Sequence, residues 1–337
     1  MSDPRPVLLV TNHAPAFRIG AFQALHERED VVFALIGGDV RHGGGAGSES
    51  LGFPVVRPTQ RGVFRLAASG RFRAVVAGLS GRVALPAAYL GARRARVPFV
   101  LWATIWRHPR TPAHALSYLP LRHLYRHADA VVTYGPHVSA YVRAKGATNV
   151  FEAPQSVDDA FWTAPAQPDR RAPFQALFAG RPAPEKGLDV LADAWRAAAL
   201  PDAELVHATD ATPAQLRNFY AGSDVVVVPS VPARDFLEPW GLVVNEAFDQ
   251  GVPVIATTAV GAVAGGLVRH EETGLVVPAG DAAALAAALR RLHGDPDLRA
   301  RLGAEGRAAV AHGYSHADWA AGMARALEAA GAGKDGC

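Results

Sequence analysis

Two cations, Arg181 and Lys186, stand five positions apart in a loop that also carries Gly180 and Gly187. The loop lies between a predicted strand and a predicted helix, and glycine lets another group approach the backbone closely. A guanidinium and an ammonium that border one cavity can together neutralise a diphosphate. Lysine is rare in this chain, which suggests that an ammonium is specifically needed at Lys186. The alternative interpretation is a surface loop with the ordinary chemistry of a helix start.

Two glutamates, Glu238 and Glu246, flank the predicted start of a helix near Gly241. Carboxylates so placed suit the paired hydroxyl groups of a sugar, because each oxygen accepts a hydrogen bond. A carboxylate buried in a helix without such a partner would be costly. The helix dipole would help to hold an anion at the free backbone N–H groups of the first turn, those of Gly241, Leu242 and Val243.

Other catalytic motifs are incomplete. The run His42-Gly43-Gly44-Gly45 resembles the oxyanion-hole signature of esterases, which requires a Gly-x-Ser-x-Gly turn, and the nearest match, 78–82, lacks the last glycine. We therefore interpret it as a flexible glycine-rich loop. No Gly-x-Gly-x-x-Gly motif opens a helix after a strand, no P-loop is present, and no histidine has zinc-like spacing with a carboxylate. The one cysteine, Cys337, excludes a disulfide framework.

Alternating apolar runs and amphipathic stretches must position these groups. This alternation predicts mostly parallel, doubly wound sheets. The predicted strands are Val7–Thr11, Val31–Gly37, Ala74–Leu79, Pro98–Ala103, Ala130–Tyr134, Phe174–Ala179, Glu204–Ala208, Asp224–Pro229, Val252–Thr257 and Gly274–Val277. The predicted helices include Phe17–Glu27, Val83–Arg94, Ala113–His127, His137–Lys145, Gly187–Ala198, Ala282–His293, Asp295–Ala311 and His316–Ala330.

The 337 residues, 50% of them hydrophobic and 19% charged, are enough for about two domains. The proline-rich stretch 151–171 interrupts the alternation and is typical of a linker. We therefore predict an α/β protein of two Rossmann-like units facing a central cleft, with domains at 1–155 and 156–313 and a further helix at 314–330. Ligands of such sheets bind beyond the carboxyl ends of the strands.

The charge is divided unevenly along the chain. Residues 1–155 carry 19 Lys and Arg against 8 Asp and Glu, a net of +11, whereas 156–337 carry 15 against 23, a net of −8. The basic half suits an anionic partner such as a lipid leaflet or a phosphorylated acceptor, or else it is a solvated face. No nucleic-acid recognition motif is present, so no nucleic-acid partner is expected. Without a signal peptide or a long apolar run, we expect a cytoplasmic protein that can lie peripherally on the inner face of the membrane.

Together these stretches resemble the retaining glycosyltransferases of family 4, which have the two-domain GT-B fold. The resemblance rests on the Gly-Arg and Glu-Lys-Gly elements of 180–187, and on two glutamates separated by seven residues, Glu238 and Glu246. It continues through 251–256, 260–262 and 272–278. It is specific over about 175–315 and weaker over 1–155. In the family the final helix crosses back to the first domain, and 316–330 could do so.

The resemblance implies a role for each residue. Arg181 and Lys186 would hold the diphosphate of a UDP- or GDP-linked sugar, and Glu246 would bind the ribose hydroxyls. Glu238, with the backbone of 240–243, would hold the sugar and its distal phosphate, so that Arg181, Lys186 and Glu238 form the catalytic group. The donor-binding set is Gly180, Arg181, Lys186, Glu238, Trp240, Gly241, Leu242, Val243 and Glu246. Cations that neutralise the diphosphate would replace a metal, so no metal or other cofactor is expected.

The first domain departs from the family pattern, since its first strand is followed by Asn12-His13-Ala14-Pro15 rather than a Gly-Gly loop. The acceptor-side candidates are Arg18, Trp106 and His108. The segment 204–224 is shorter than in the family, where this region helps to hold the nucleobase. The identity of the donor's base is therefore left open. A lipid-linked sugar and a small secondary metabolite both remain as acceptors, and a non-catalytic or repurposed nucleotide-sugar-binding protein remains the alternative function.

Overall fold

A computed structural model describes residues 3–37, 51–79 and 81–334, and the glycine-rich run His42–Gly45 lies outside them. The chain forms two compact units. The first takes its described residues from 1–108, 112–156 and 316–337, and the second comprises 109–111 and 157–315. Each unit is built on one parallel sheet with flanking helices, which confirms the predicted α/β class and its two Rossmann-like units.

The sheet of the first unit has, within the described ranges, seven parallel strands in the order β3-β2-β1-β4-β5-β6-β7. The strands are β1 Val7–Thr11, β2 Val31–Leu35, β3 Val55–Val56, β4 Ala74–Gly78, β5 Phe99–Ala103, β6 Ala130–Thr133 and β7 Val150–Glu152. The helices are α1 Ala16–Glu29, α2 Gly62–Ala67, α3 Ala84–Ala95, α4 Pro112–His127 and α5 Pro136–Ala144. The central strands are buried throughout because helices cover both faces, so their sequences are continuous apolar runs.

The last helix, α13 (His316–Ala329), belongs to this first unit and packs against α1. The two helices approach closely at Gly20, where a Cβ atom would lie 2.4 Å from the His316 ring. The imidazole Nδ1 of His316 lies 3.0 Å from Ser156 Oγ, and the buried Trp319 ring packs near Phe22. Small residues and one aromatic anchor therefore join the C-terminal helix to this sheet.

The sheet of the second unit has, in the part of the chain that is described, five parallel strands in the order β12-β11-β10-β8-β9. They are β8 Phe174–Ala179, β9 Ala203–Ala208, β10 Val225–Val228, β11 Val254–Thr257 and β12 Gly274–Val277. The helices are α6 Asp159–Trp162, α7 Leu188–Ala198, α8 Pro213–Gly222, α9 Val243–Asp249, α10 Gly261–Ala264, α11 Ala282–Gly294 and α12 Pro296–Ala311. Leucine and alanine side chains of α7 and α11 fill the core against this sheet.

Two predictions were wrong in detail, and two short elements were missed. The segment 151–171 is not wholly a linker, because it begins within strand β7 and contains helix α6. Strand β3 and helix α2 were missed, since elements of two and six residues are too short to show a period. Helix α9 begins at Val243 rather than near Gly241, whose φ of +92° is not helical.

Candidate functional site

The candidate site lies where β8 and β10 end, at the carboxyl edge of the second sheet. Gly180 directly follows β8 with a φ of +143°, a conformation that favours glycine, and its N–H donates to the Ala208 carbonyl at 3.1 Å. The next residues form a loop that ends in a 3₁₀ turn over Pro184–Lys186, just before α7. Both predicted cations therefore stand at the edge where doubly wound sheets bind ligands.

Gly187 fixes this loop against the end of β10. Its φ is +64°, and a Cβ atom at this position would lie 2.2 Å from the carbonyl oxygen of Pro229. The Val231 N–H also donates to the Glu185 carbonyl at 2.9 Å. The glycine of the Glu-Lys-Gly element is therefore needed for a close approach of two backbone segments.

That approach brings the first cation and the first glutamate together. The ammonium of Lys186 forms an ion pair with Oε2 of Glu238, and both side chains are largely buried. Arg181 is more exposed and pairs with Oε1 of Glu185 at 2.5 Å. The site thus joins two predicted catalytic residues directly, while the third is held by a neighbour from its own loop.

The segment that carries Glu238 is held by the start of α10. The Gly261 N–H donates to the Glu238 carbonyl at 3.1 Å, and the Ala262 N–H donates to the Trp240 carbonyl at 2.8 Å. A Cβ atom on Gly261 would lie 1.9 Å from the carbonyl oxygen of Pro239. The Val-Gly-Ala sequence at 260–262 therefore positions the glutamate loop, a role that the sequence did not reveal.

Trp240 turns its side chain inward. The indole is buried, and its Nε1 donates to Oδ1 of Asn245 at 2.8 Å, which ties the loop to the first turn of α9. Gly241 and Leu242 lead into that helix, whose first N–H groups have no acceptor within the helix itself. The Trp240 side chain is therefore part of the interior of the second unit.

Glu246 has a protein partner that the sequence analysis missed. The hydroxyl of Tyr220, on α8, donates to Oε2 of Glu246 at 2.7 Å. Burial raises the pKa of Glu246 to about 7, and the tyrosine hydrogen bond acts in the opposite direction. Burial also raises the pKa of Tyr220 well above its usual value. A buried tyrosine generally finds a hydrogen-bond partner, but only the tertiary structure shows which one.

A second carboxyl group with a perturbed pKa lies one turn further along α9. Asp249 is buried, and its Oδ2 has no hydrogen-bond partner among the described residues. Burial raises its pKa to about 7, the charges of Asp159 and Glu246 add to this shift, and Arg307 opposes it. The sequence analysis did not single out this residue.

The three acceptor-side candidates lie in the first unit. Arg18 is only 3% exposed, and its Nη2 donates to Oε1 of Gln155. Four aromatic rings lie 5.2–5.8 Å from its guanidinium carbon, those of Phe17, Trp102, Tyr134 and Trp319. Trp106 packs edge-on against the His137 ring, and His108 Nε2 lies 2.7 Å from the His114 carbonyl oxygen. Arg18 is therefore part of the interior of the unit.

Among residues 3–37, 51–79 and 81–334, no group of three or more His, Cys, Asp or Glu side chains is arranged to hold a metal ion. Over the same ranges, no helix combines the length and the apolar character needed to cross a bilayer.

Comparison with known proteins identifies the class of domain that holds Glu238 and Glu246, whereas Arg181 and Lys186 lie before the matched residues. Residues 197–309 match the family described as glycosyl transferases group 1, so the chain contains a domain of that kind. The structure of Anabaena HepE in complex with UDP and glucose superposes with a TM-score of 0.73 and 17% identity, and covers 96% of this chain and 99% of HepE. At that identity the likeness establishes a shared fold, the GT-B architecture.

Curated relatives align over shorter segments. Lipopolysaccharide core biosynthesis glycosyltransferase LpsD of Rhizobium meliloti (strain 1021) is 46% identical over 69 residues, which is 20% of this chain and 20% of LpsD. D-inositol 3-phosphate glycosyltransferase of Nocardia farcinica (strain IFM 10152) is 39% identical over 123 residues, which is 35% of this chain and 24% of that relative. The chain thus spans about a quarter or less of the length of these relatives.

Proposed function

We propose that this protein is a retaining glycosyltransferase of family 4, which moves a sugar from a nucleoside diphosphate sugar to a hydroxyl acceptor. The observation that carries the proposal is the contact of Lys186 with Glu238 at the carboxyl edge of the second sheet. It joins a cation suited to a diphosphate with a carboxylate suited to a sugar hydroxyl. The names of the relatives and the UDP and glucose held by HepE support the same chemistry.

The donor would be a UDP- or GDP-linked sugar. Lys186 and Arg181 would bind the diphosphate, and Arg181 would exchange its contact with Glu185 for a phosphate oxygen. Glu246 would accept hydrogen bonds from the ribose diol, while Tyr220 holds one of its two oxygens. Glu238 would accept a hydrogen bond from a hydroxyl of the sugar, and the N–H groups of 241–243 would face the distal phosphate.

The reaction would proceed with retention of the anomeric configuration. The bond between the anomeric carbon and the diphosphate oxygen breaks through an oxocarbenium-like state, and the acceptor oxygen forms the new bond on the same face. The acceptor proton passes to the departing phosphate oxygen, so no protein base is needed. Lys186 and Arg181 would stabilise the negative charge that develops on the diphosphate, without a metal.

The acceptor, which supplies the hydroxyl group, would bind to the first unit. The net charge of +11 over 1–155 favours an anionic acceptor, such as a lipid-linked sugar of the cell envelope. A small secondary metabolite is the other acceptor class. Either reaction would take place in the cytoplasm, where nucleotide sugars are the donors.

Titration calorimetry with UDP, GDP and their sugar conjugates, with and without magnesium, tests the donor site. We expect tight binding of one nucleoside diphosphate without metal, and a release of that nucleotide from its sugar conjugate in the presence of an acceptor. Lys186→Ala and Glu246→Ala should abolish transfer while the protein stays folded. Arg196→Ala, on an exposed part of α7, is the matched control and should leave transfer unchanged. Full activity in either site variant would refute the residue roles.

A non-catalytic nucleotide-sugar-binding protein is the second candidate. It is favoured by the pairing of Arg181 with Glu185, which occupies one of the two cations proposed to bind the diphosphate. It is also favoured by the shortened segment between α7 and β10, which contains one strand, β9, and one helix, α8. Nucleotide binding without turnover of any sugar conjugate would select this function.

A further inference from the structure

A long stretch of the first unit carries no negative charge. Residues 50–128 contain 13 arginines and neither aspartate nor glutamate, between Glu49 and Asp129. The same stretch holds every large hydrophobic side chain that is exposed among the described residues. These are Phe64 (40% exposed), Val83 (45%), Leu90 (55%), Leu116 (84%) and Leu119 (68%). Exposed apolar groups and a run of arginines therefore coincide in one part of the chain, and of these arginines Arg73 pairs with Glu29 and Arg93 with Asp129.

Helices α3 and α4 carry the most exposed of these groups, and two contacts join the helices. The Tyr89 hydroxyl on α3 lies 3.4 Å from His123 Nε2 on α4, and the two rings meet edge-on. One turn further along each helix, Arg93 Nη2 donates to the His127 carbonyl oxygen. These contacts hold the C-terminal halves of the two helices side by side. We call six of the exposed side chains on them the α3–α4 surface: Leu90, Arg94, Leu116, Leu119, Arg122 and Arg126.

The spacing on α4 divides this surface into an apolar end and a basic end. Leu116 and Leu119 are three positions apart, so they share one face of the helix, and the arginines follow in its last two turns. Single exposed leucines are ordinary on soluble proteins. Here two exposed leucines share one helix face, exposed arginines follow them, and the stretch has no carboxylate. This composition is typical of an interfacial helix.

We propose that the α3–α4 surface docks onto a bilayer leaflet rich in anionic phospholipid. The leucines would enter the boundary between headgroups and acyl chains, and the arginines would keep their guanidinium groups at the level of the lipid phosphates. The leucines distinguish this partner from a nucleic acid, which would use the arginines but has no apolar phase to receive exposed aliphatic side chains. The proposal does not rest on the proposed function, because docking needs no donor and no turnover.

Vesicle flotation with the full chain tests the proposal. We expect flotation with phosphatidylglycerol vesicles at low salt, little with phosphatidylcholine vesicles, and release as salt rises above about 0.5 M. The double variant Leu116→Ser, Leu119→Ser should partition at least about tenfold more weakly. Arg122→Gln with Arg126→Gln should weaken partition by about tenfold or more on anionic vesicles.

Matched controls separate docking from general effects of charge and folding. Leu116→Met with Leu119→Met keeps the apolar character and should float like the wild type. Arg196→Gln with Arg290→Gln removes two positive charges from the second unit and should also float like the wild type. Circular dichroism checks that every variant is folded.

Three results would overturn the proposal. One is no flotation of the folded wild type on phosphatidylglycerol at low salt. The second is equal flotation of the wild type and the serine variant. The third is that double-stranded DNA binds as tightly as the vesicles do, and that the serine variant binds both as well as the wild type does. The arginines would then bind polyanions in general.

Discussion

The ammonium group of Lys186 lies against carboxylate oxygen Oε2 of Glu238, although 52 positions separate the two residues in the chain. The contact exists because Gly187 lets its loop approach the end of β10, and because Gly261 holds the glutamate loop from the other side. Both functional groups are therefore placed by backbone packing rather than by their own flexible side chains. The backbone on both sides of the contact is therefore fixed, and the proposed donor binding would rearrange side chains only, such as Arg181 leaving Glu185.

Replacing Glu238 with glutamine removes the charge that pairs with Lys186 and keeps the size of the side chain. We expect sugar transfer to fall about 100-fold or more, because the proposed contact to the sugar is weakened. Affinity for the nucleoside diphosphate should hold or rise, since the ammonium loses a competing carboxylate. Calorimetry and turnover measurements check the two effects separately. Unchanged transfer would show that Glu238 does not act on the donor sugar.

Gly187 and Gly251 form a matched pair for the close approach at the site. Their φ angles are +64° and +71°, but a Cβ atom would strike the Pro229 carbonyl only at Gly187, since nothing lies within 4 Å at Gly251. We expect Gly251→Ala to cost about 1 kcal/mol from backbone conformation alone. Gly187→Ala should cost about 3 kcal/mol or more and should weaken donor binding. Urea unfolding measures both, and equal losses would mean that the contact with Pro229 is unimportant.

Tyr220→Phe removes the hydrogen bond that favours the charged form of Glu246. The pKa of Glu246 should therefore rise above its wild-type value of about 7. If the anion binds the ribose diol, donor affinity increases as pH rises through this pKa, and the midpoint moves to higher pH in the variant. Calorimetry between pH 6 and pH 9 checks the shift, with the first-unit variant Tyr89→Phe as the control. An unshifted midpoint would contradict the role of Glu246.

The raised pKa of Asp249 leads us to expect that the stability of the protein falls as pH rises. Its pKa is raised from 3.8 to about 7. Between these two pH values the folded protein therefore holds a proton that the unfolded chain has released. Its contribution to the free energy of unfolding is therefore complete below about pH 4 and declines as pH rises to about 7. Asp249→Asn should be more stable than the wild type at pH 8, and this advantage should shrink at pH 5.

Urea unfolding of both proteins at pH 5 and pH 8 measures this difference. Glu246 contributes with the same sign, so part of the decline should persist in Asp249→Asn and become smaller when Glu246→Gln is added. Asp193→Asn, on an exposed position of α7, is the control. A wild-type advantage over Asp249→Asn at pH 8 would contradict the assignment.

Substitutions of Arg18 test whether this buried cation stabilises the fold or binds the acceptor. Arg18→Ala should lower the free energy of unfolding by about 2–4 kcal/mol, because it opens a cavity among aromatic rings and removes the hydrogen bond from Arg18 to Gln155 Oε1. Arg18→Lys keeps the charge but loses the planar group, so it should be destabilised less than the alanine variant. Denaturation curves measure both, and undiminished stability together with a raised KM for the acceptor would favour the binding role.

The sequence by itself determined the α/β class and the central strands of both sheets. Runs such as 74–78 and 225–228 are apolar throughout because helices cover both faces of a parallel sheet, and this composition is visible without coordinates. Local chemistry likewise identified Arg181, Lys186, Glu238 and Glu246 as the candidates, because charged groups beside glycines at a strand end or around a helix start are a local pattern. The shortest elements escaped prediction, since β3 and α2 are below the length at which a period is visible.

Only the tertiary structure decided which groups meet. Tyr220 reaches Glu246 across 26 positions, and Arg18 enters an aromatic cage built in part by the last helix. It also decided the roles of the glycines, because a forbidden Cβ position depends on a distant carbonyl such as those of Pro229 and Pro239. Contacts of this kind depend on the packing of whole elements, so no local spacing in the sequence encodes them.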